Sequence, residues 1–396
     1  MALSFRKLLL GFIATALVAC RAAPLTQTEV VDKAAQGLRL IETEPGVEPV
    51  WMTHAQKIDL LKANKNFFDV TETYEPPSAD STAKLSLARP RPNPGQAAPV
   101  NVTGYAAPSR QAAVNPLISK ISLDSMQSFL TNLTSFHNRY FNSTTGVDAS
   151  LWIKDTLTQI TKANPQSSAS VSLFPHAAFR QPSIIAKIPG RNPGGPLTIL
   201  GAHMDSINLD DVEGRAPGAD DDGSGSVNLM EAYRVLVSSG FQPETPVEFQ
   251  WYAGEEEGLL GSQDIAKAYA KRGEKVKAML MMDMTAFVKP GTKEVISLMP
   301  DFTNENLTTF VAQLIDTYSL LDSEINNPCG YACSDHASWD KYGFPTALPF
   351  EATYPDNANE IVHTDGDTVD IEGFSWTHTL EYTKIALAFA FELGSA

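Results

Sequence analysis

Five short segments of this 396-residue chain hold histidine and carboxylate side chains that could bind metal ions or transfer protons. The first contains His203 and Asp205, and another ends at Asp283. Nitrogen and carboxylate-oxygen ligands without a nearby cysteine are typical of sites for Zn²⁺ or a similar first-row metal. The other segments are Asp220-Asp221-Asp222, Glu255-Glu256-Glu257 and the stretch from Glu360 through His363 to Asp367.

The runs of adjacent acidic residues also indicate a cation. Three consecutive aspartates repel one another, and a bound cation would remove that cost. Their position ahead of a predicted helix adds a favourable interaction with the helix dipole. In the glutamate run, Glu256 as a metal ligand and Glu255 as a base would have separate roles. Asp205 lies close enough to His203 in sequence to orient its imidazole ring.

Each segment also has a simpler structural explanation. A single histidine at the end of a strand is often only a hydrogen-bonded structural residue. A loop of aspartate, glycine and serine ahead of a helix usually caps that helix, and a run of glutamates is usually solvated surface. The metal interpretation depends on the coincidence that four strand ends or loops carry ligand-type residues in one chain.

The chemical segments follow short apolar stretches that are typical of buried strands. Because these strands alternate with helices, we predict an α/β fold with a mixed, mostly parallel central sheet and helices on both faces. In such sheets, sites form at the carboxyl ends of the strands. The predicted strands cover residues 184–188, 197–201, 247–252 and 279–282, and the predicted helices cover 30–40, 123–138, 148–163 and 227–237.

The N-terminal residues predict export from the cell. A short basic segment precedes an apolar run from Leu8 to Ala19 and then small residues, which is the pattern of a secretory signal peptide. A membrane anchor would need about 18 or more apolar residues. We assign residues 1–20 to the signal peptide, and cleavage after Cys20, Ala22 or Ala23 stays open.

The next part of the chain is organised like the pro-segment of a secreted enzyme. We assign residues 21–88 to a propeptide, with a linker rich in Pro, Ser and Ala that continues to about residue 115. A single catalytic domain is assigned to residues 89–396. The alternative is an ordinary N-terminal subdomain joined by a loop.

Composition excludes several classes of partner. The net charge is −16, from 46 acidic and 30 basic side chains, and no basic stripe interrupts it. We therefore expect no binding to nucleic acid or to an anionic membrane.

The chain has no His-Glu-x-x-His, Gly-x-Ser-x-Gly or P-loop motif. A monomer is the default expectation.

Cysteine usage and glycosylation sequons agree with export. Cleavage at or after Cys20 leaves only Cys329 and Cys333. A local disulfide is favoured in an oxidising compartment, and a metal-binding or redox role is the intracellular alternative. Four Asn-X-Thr sequons, candidate sites of N-glycosylation, begin at Asn101, Asn132, Asn142 and Asn306.

Five motifs of the chain together point to one family. They are His203-Met-Asp-Ser, Gly218-Ala-Asp-Asp-Asp-Gly-Ser-Gly, Ala253-Gly-Glu-Glu-Glu-Gly, Asp283-Met-Thr and Cys329-Gly-Tyr-Ala-Cys-Ser-Asp-His. The set closely resembles the secreted leucine aminopeptidases of fungi and bacteria, which are peptidases with two catalytic zinc ions. The resemblance covers residues 115–390. The N-terminal organisation is similar to that of the fungal members, which carry a signal peptide and an inhibitory propeptide.

The resemblance implies a role for each chemical residue. Glu255 would be the general base for a water activated by two Zn²⁺ ions, and Asp205 would support His203. Asp221 would bridge the ions, and the free amine of a peptide would bind at one of them. The chain would then release N-terminal amino acids, and its own propeptide would inhibit it. The implied metal ligands are His203, Asp221, Glu256, Asp283 and His363.

The same resemblance implies a pocket for the first residue of the substrate. Cys329 and Cys333 would form a short disulfide that shapes this pocket, and leucine or another large apolar residue would fill it. Packing in the core is the alternative explanation for the apolar members. The implied pocket residues are Tyr331, Met284, Leu348, Phe350 and Tyr354.

Two other functions compete with an aminopeptidase. One is a glutaminyl-cyclase-like zinc transferase, and the other is a non-catalytic binding domain on a peptidase fold. The segment from Cys329 to Trp339 and the full ligand set favour the peptidase over the cyclase. A binding domain should have lost ligands or the base, and this chain keeps all of them.

Overall fold

The computed structural model of this chain describes residues 25–44, 47–76 and 104–396. The predicted signal peptide, most of the predicted linker and the sequon at Asn101 lie outside the described residues. Within the described residues, no helix has the length and apolar character needed to cross a membrane.

Strands and helices alternate through most of the described chain. The strands are β1 (Arg39–Glu42), β2 (Val50–Met52), β3 (Phe68–Asp69), β4 (Ser170–Phe174), β5 (Ser183–Ile188), β6 (Leu197–His203), β7 (Val247–Tyr252), β8 (Val276–Met281), β9 (Val295–Leu298), β10 (Asp322–Ile325), β11 (Thr346–Ala347) and β12 (Pro349–Phe350). The helices are α1 (Gln27–Ala35), α2 (His54–Lys62), α3 (Gln111–Ile118), α4 (Leu123–Leu133), α5 (Thr144–Ala163), α6 (Gly223–Ser238), α7 (Leu260–Arg272), α8 (Glu305–Tyr318), α9 (His336–Lys341) and α10 (Trp376–Gly394).

A six-stranded sheet with the order β11-β8-β6-β7-β5-β4 forms the centre of the fold. The pairs β11/β8, β8/β6 and β6/β7 are parallel, whereas β7/β5 and β5/β4 are antiparallel. A second sheet with the order β10-β9-β12 lies in the C-terminal half. The predicted mixed, mostly parallel sheet is therefore confirmed.

Strand β6 shows why both faces of the central sheet are covered. Leu200 and Ala202 belong to a core cluster with residues of α6 and α10, and Ile199 belongs to a second cluster with residues of α7. Successive residues of a strand point to opposite faces, so a continuous apolar run needs helices on both. Gly201 lets Tyr252 approach closely, because a Cβ atom there would lie 2.5 Å from the tyrosine ring.

The N-terminal part of the described chain, residues 25–44 and 47–76, forms a small unit. We call it the prosegment, after the propeptide that the sequence predicts for this part of the chain. Its strands form an antiparallel sheet with the order β2-β1-β3. Residues 39–40, predicted as the end of a helix, belong to strand β1 instead, because α1 ends at Ala35 and the chain turns at Gly37. Leu40 and Phe68 pack in one cluster with residues of the following domain.

Part of the predicted linker is a packed element. The side-chain hydroxyl of Tyr105 donates to the main-chain oxygen of Lys277 at 2.6 Å. Helix α3 then begins at Gln111, and its Val114 is buried in the main core. The prediction of an extended segment up to residue 115 was wrong there. The proline-rich composition concealed two apolar residues, Val114 and Leu117, at a helical spacing.

The helices that were predicted after the linker are present with different bounds. Helix α4 ends at Leu133, earlier than residue 138, and α5 begins at Thr144, earlier than residue 148. The Ser143 hydroxyl accepts a hydrogen bond from the Gly146 amide, which caps α5. The segment between the two helices is irregular, and its residues Asn138 and Arg139 are buried.

Candidate metal centre

His203 and Asp205 lie at the carboxyl end of β6, where the sequence predicted a site. Both side chains are buried. The His203 Nδ1 atom lies 3.6 Å from an Asp205 oxygen. The two Asp205 oxygens also accept hydrogen bonds from the main-chain amides of Glu255 and Glu256, at 3.1 and 3.2 Å. Asp205 therefore holds the histidine and the glutamate loop together, a second role that the sequence did not indicate.

Asp221 lies between the two histidines. One of its carboxylate oxygens is 2.9 Å from His203 Nε2, and the other is 2.9 Å from His363 Nε2. The side chain is buried, with 6% exposed. A carboxylate in this position can serve two metal ions, one through each oxygen.

The neighbouring aspartates face other groups. Asp222 accepts from the amide of Gly225 at 2.8 Å and caps α6, and it accepts from the amide of His203 at 3.0 Å. Asp220 accepts from the amide of Ala286 at 3.0 Å. These two carboxylates fix the turn, whereas Asp221 alone of the three faces both histidines.

The other two carboxylates of the centre come from neighbouring strand ends. Asp283 follows β8, and one of its oxygens lies 3.5 Å from His203 Nε2. Glu256 follows β7, and one of its oxygens lies 3.0 Å from His363 Nε2. The start of the glutamate loop is held by β5, because the amide of Ala253 donates to the Ser183 hydroxyl at 3.1 Å.

His363 comes from a loop of the C-terminal part of the chain. Its backbone φ is 61°, in the left-handed region that is unusual for histidine. The amide of Leu209 donates to its carbonyl oxygen at 2.9 Å and holds the loop in this conformation. The five predicted ligands therefore converge on one place, although 160 residues separate the first from the last.

Dense negative charge dominates the electrostatics of this place. Burial raises the pKa of Glu256 to about 7, and burial with the nearby Asp335, Asp283 and Glu256 carboxylates raises the pKa of Glu255 well above its usual range. Burial alone would lower the pKa of His203, but the surrounding carboxylates, Asp283 above all, raise it well above its usual value. A divalent cation would relieve this repulsion between buried carboxylates.

The donor atoms fit metal ions. Two groups have one ligand atom from each residue within 4.8 Å of one another, and Asp221 belongs to both. Nitrogen and oxygen ligands at about 2.0–2.2 Å from Zn²⁺ suit such spacings. The buried His203 Nδ1 atom has no hydrogen-bond partner. This fits a ring whose Nε2 binds a metal while its Nδ1–H faces Asp205. The groups are His203, Asp221 and Asp283, and Asp221, Glu256 and His363.

A cavity of about 500 Å³ opens beside these residues. Glu255, the predicted base, lines it together with His203, Asp221, Asp283 and His363. All the predicted pocket residues line the same cavity; these are Tyr331, Met284, Leu348, Phe350 and Tyr354. Leu348 and Phe350 also belong to a buried core cluster, and Met284 and Tyr354 pack against it.

The pair Cys329–Cys333 is a disulfide in the structure, as predicted, with a sulfur–sulfur distance of 2.03 Å. Both cysteines line the cavity. The Tyr331 hydroxyl, between them in sequence, lies 3.2 Å from the Tyr354 hydroxyl. The disulfide loop therefore forms one wall of the apolar end of the cavity.

The sequence interpretation missed two features of the site. Asp367 accepts hydrogen bonds from the amides of Asp220 and Asp221, both at 3.1 Å, and it fixes the aspartate turn from the C-terminal side. Its position four residues after His363 could have indicated such a role. Met299 also lines the cavity, and no local pattern marks it.

Comparison with known proteins agrees with the geometry. The model of peptidase family M28 matches residues 183–390. A probable leucine aminopeptidase of Arthroderma otae is 40% identical over 90% of this chain and 91% of its own. Leucine aminopeptidase 1 of Phaeosphaeria nodorum is 39% identical over 98% of each chain. The crystal structure of the LapA aminopeptidase of Legionella pneumophila is similar with a TM-score of 0.78 and 30% identity, over 93% of this chain and 96% of that one.

These matches cover the strands, the loops and the ligand-bearing segments described above. Zinc is the metal of this family, and the nitrogen and oxygen donors of the centre suit it. The chain belongs to peptidase family M28, and it is a peptide-bond hydrolase of the aminopeptidase type.

Proposed function

We propose that this protein is an extracellular aminopeptidase that uses two Zn²⁺ ions and prefers leucine or another large apolar residue at the N-terminus of its substrate. The observation that carries the proposal is the position of Asp221, whose two oxygens each lie 2.9 Å from a different histidine. A carboxylate shared between two ligand groups can hold two metal ions close together, as in two-metal hydrolases.

The proposed metal ligands are His203, Asp221 and Asp283 for one ion and Asp221, Glu256 and His363 for the other. When bound, zinc ions supply Lewis acidity, which polarises the scissile carbonyl and makes a water more acidic. Glu255 lies at the cavity beside these ligands. Its carboxylate could accept a proton from such a water and return it to the leaving amine.

The shape of the cavity supports cleavage of the first peptide bond. Its apolar end, formed by Met284, Leu348, Phe350 and the disulfide loop, would take one large apolar side chain. At its polar end, the free amine of an N-terminus would be attracted to a zinc ion held by the proposed ligands. A substrate with a blocked amine would lose this attraction.

Turnover of two matched substrates tests this proposal. We expect hydrolysis of leucine-p-nitroanilide and no hydrolysis of its N-acetylated form, because only the first has a free amine. A chelator should abolish the activity, and added zinc should restore it. Cleavage of the acetylated substrate at a similar rate would contradict an exopeptidase.

The cyclase alternative predicts a different product. A glutaminyl-cyclase-like enzyme would release ammonia from a peptide with N-terminal glutamine and leave its peptide bonds intact. A protein that binds zinc and turns over neither substrate would favour the non-catalytic binding domain.

We also propose that the prosegment inhibits the enzyme until it is removed. Four residues of the prosegment line the same cavity as the proposed metal ligands; these are Leu61, Lys62, Asn64 and Asn66. The Lys62 ammonium lies 3.7 Å from an Asp210 carboxylate oxygen at the cavity mouth. These side chains would occupy space that a peptide needs in order to reach the ligands.

The prosegment is held by a buried ion pair. The Lys57 ammonium lies 2.7 Å from Glu257 and 3.1 Å from Asp69, and only 2% of the residue is exposed. It also donates to the main-chain oxygen of Glu257 at 2.9 Å. The pairing with Lys57 and His54 overcomes the effect of burial and lowers the pKa of Glu257 to about 2.

Replacing Lys57 by methionine should therefore weaken the latent state. Removing one partner of a buried ion pair costs about 3–5 kcal/mol when the other charge is left unpaired. Here Glu257 keeps His54 at 2.9 Å and Asp69 keeps Arg39 at 2.7 Å. We therefore expect a smaller loss of about 1.4 kcal/mol, which corresponds to a shift of about 10-fold in favour of the undocked prosegment. We expect unprocessed Lys57→Met protein to hydrolyse leucine-p-nitroanilide faster than unprocessed wild type.

Lys65→Met is the matched control, since Lys65 lies on an exposed turn of the prosegment, and it should leave the latent state unchanged. A folded Lys57→Met protein as latent as wild type would contradict the anchoring role of this ion pair.

Export is proposed from the N-terminal pattern and from the sequons. Asn132, Asn142 and Asn306 all lie on exposed positions of the structure. Glycosylation at each of them stays a prediction, and so does a monomeric state.

A further inference from the structure

Arg139 is an unusual residue, because its guanidinium is completely buried, with 0% of the residue exposed. Three of its nitrogens donate to main-chain carbonyl oxygens. Nε donates to Met204 at 2.7 Å, Nη2 donates to Gly218 at 2.8 Å, and Nη1 donates to Pro217. Burial of a charged group is costly, so the arrangement calls for an explanation beyond packing.

The three carbonyl groups belong to the two segments that carry metal ligands. Met204 lies between His203 and Asp205, and Pro217 and Gly218 open the turn that leads to Asp221. A single planar side chain therefore spans the loop after β6 and the aspartate turn. Lysine could not reproduce this fork, because its ammonium is a single point with no fixed plane.

The backbone around Arg139 reinforces the same connection. Its amide donates to the Ser206 hydroxyl at 3.1 Å, and that hydroxyl donates to the carbonyl of Ala216 at 2.8 Å. Gly218 permits the close approach of the guanidinium. A Cβ atom there would lie 2.7 Å from Arg139 Nη2, and its φ of 51° also favours glycine.

The positive charge of Arg139 and its hydrogen bonds should have opposite effects on zinc binding. The carboxylates of Asp367, Asp205, Asp222 and Asp221 interact electrostatically with its guanidinium. A positive charge near a cation site weakens cation binding by repulsion. If Arg139 acted through its charge alone, its removal would strengthen zinc binding. If it acts by holding the two segments in place, its removal would weaken zinc binding.

We propose that Arg139 is a positioning residue for the metal centre, which sets His203 and Asp221 at the separation that a metal ion needs. The inference rests on the proposed zinc function, because it concerns the ligands of that site. Arg139 lies outside residues 183–390, which the family model matches, so the family match alone assigns it no role.

Zinc affinity of the full chain tests this role without reference to activity. Protein freed of metal by a chelator is titrated with zinc in competition with a chromophoric chelator. We expect the Kd for zinc to rise about 10–100-fold in Arg139→Met, the effect typical of groups that orient metal ligands. Arg139→Lys keeps the charge and should show a loss in the same direction. In Arg139→Ala, added methylguanidinium should restore part of the affinity, and methylammonium should not.

Arg215→Met is the control, because Arg215 also donates to main-chain carbonyls, those of Phe136 and Thr134, but lies exposed. An Arg139→Met protein with unchanged or tighter zinc binding would overturn the proposal. Failure of every Arg139 variant to fold, with Arg215→Met folded, would also overturn it, because Arg139 would then serve the fold and not the metal centre. Wild-type protein without zinc affinity would instead refute the proposed zinc function, and this inference with it.

Discussion

Replacing Glu255 by alanine is expected to lower kcat for leucine-p-nitroanilide by about 10²–10⁴-fold, the usual contribution of a general base. Glu255 lines the cavity, and burial together with neighbouring carboxylates raises its pKa well above its usual range. It belongs to neither ligand group. The variant should therefore keep the zinc content of wild type while it loses the proton transfer.

Steady-state kinetics of processed protein measures kcat, and metal analysis of the same protein measures its zinc content. Glu255→Gln, which keeps the size of the side chain, should be impaired to a similar degree. Glu274→Gln is the control, because Glu274 is a partly exposed residue just after α7 that pairs with Arg272. A Glu255→Ala enzyme that keeps a tenth or more of the wild-type kcat would exclude Glu255 as the base.

Asp221→Asn should affect both metal binding and turnover. The amide removes the negative charge that the two ligand groups share, and its nitrogen cannot serve as a ligand. We expect the zinc content to fall after dialysis. We also expect kcat/KM to fall by more than about 100-fold, because loss of a group that only orients a metal ligand already costs up to about 100-fold. Added zinc should raise the Tm of wild type and have little effect on the variant.

Asp322→Asn provides the comparison, since Asp322 is an exposed residue of strand β10 that pairs with Lys293. Comparison with Glu255→Ala separates metal binding from proton transfer, because Glu255→Ala should lose turnover and keep zinc. Full zinc content in Asp221→Asn would show that Asp221 does not bridge two ions.

Much of the site could be predicted because its chemistry is local in sequence. Each ligand segment follows a short apolar strand, and parallel strands bring their carboxyl ends to one edge of the sheet. The separate roles of Asp220, Asp221 and Asp222 could not be derived from the sequence pattern alone, because they depend on which way each side chain points. The family resemblance selected Asp221, and the structure places this residue between the histidines.

The features that sequence reasoning missed depend on contacts between distant residues. Lys57 meets Glu257 from 200 positions away, and a lysine on an amphipathic helix is normally solvent-exposed. Arg139 contacts carbonyl groups, which have no sequence signature at all. Helix α3 was hidden by its proline-rich surroundings, although Val114 and Leu117 lie on its buried face.

The order of the elements along the chain has a consequence for the cell that makes this protein. The prosegment is synthesised first, and His363, the last ligand, follows Lys57 by roughly 300 residues. At about 5–20 residues per second, a ribosome needs about 15–60 s to cover that distance. If the prosegment inhibits as we propose, it would thus be finished before the metal centre can assemble. The peptides of the producing cell would then be protected from the time at which the centre forms.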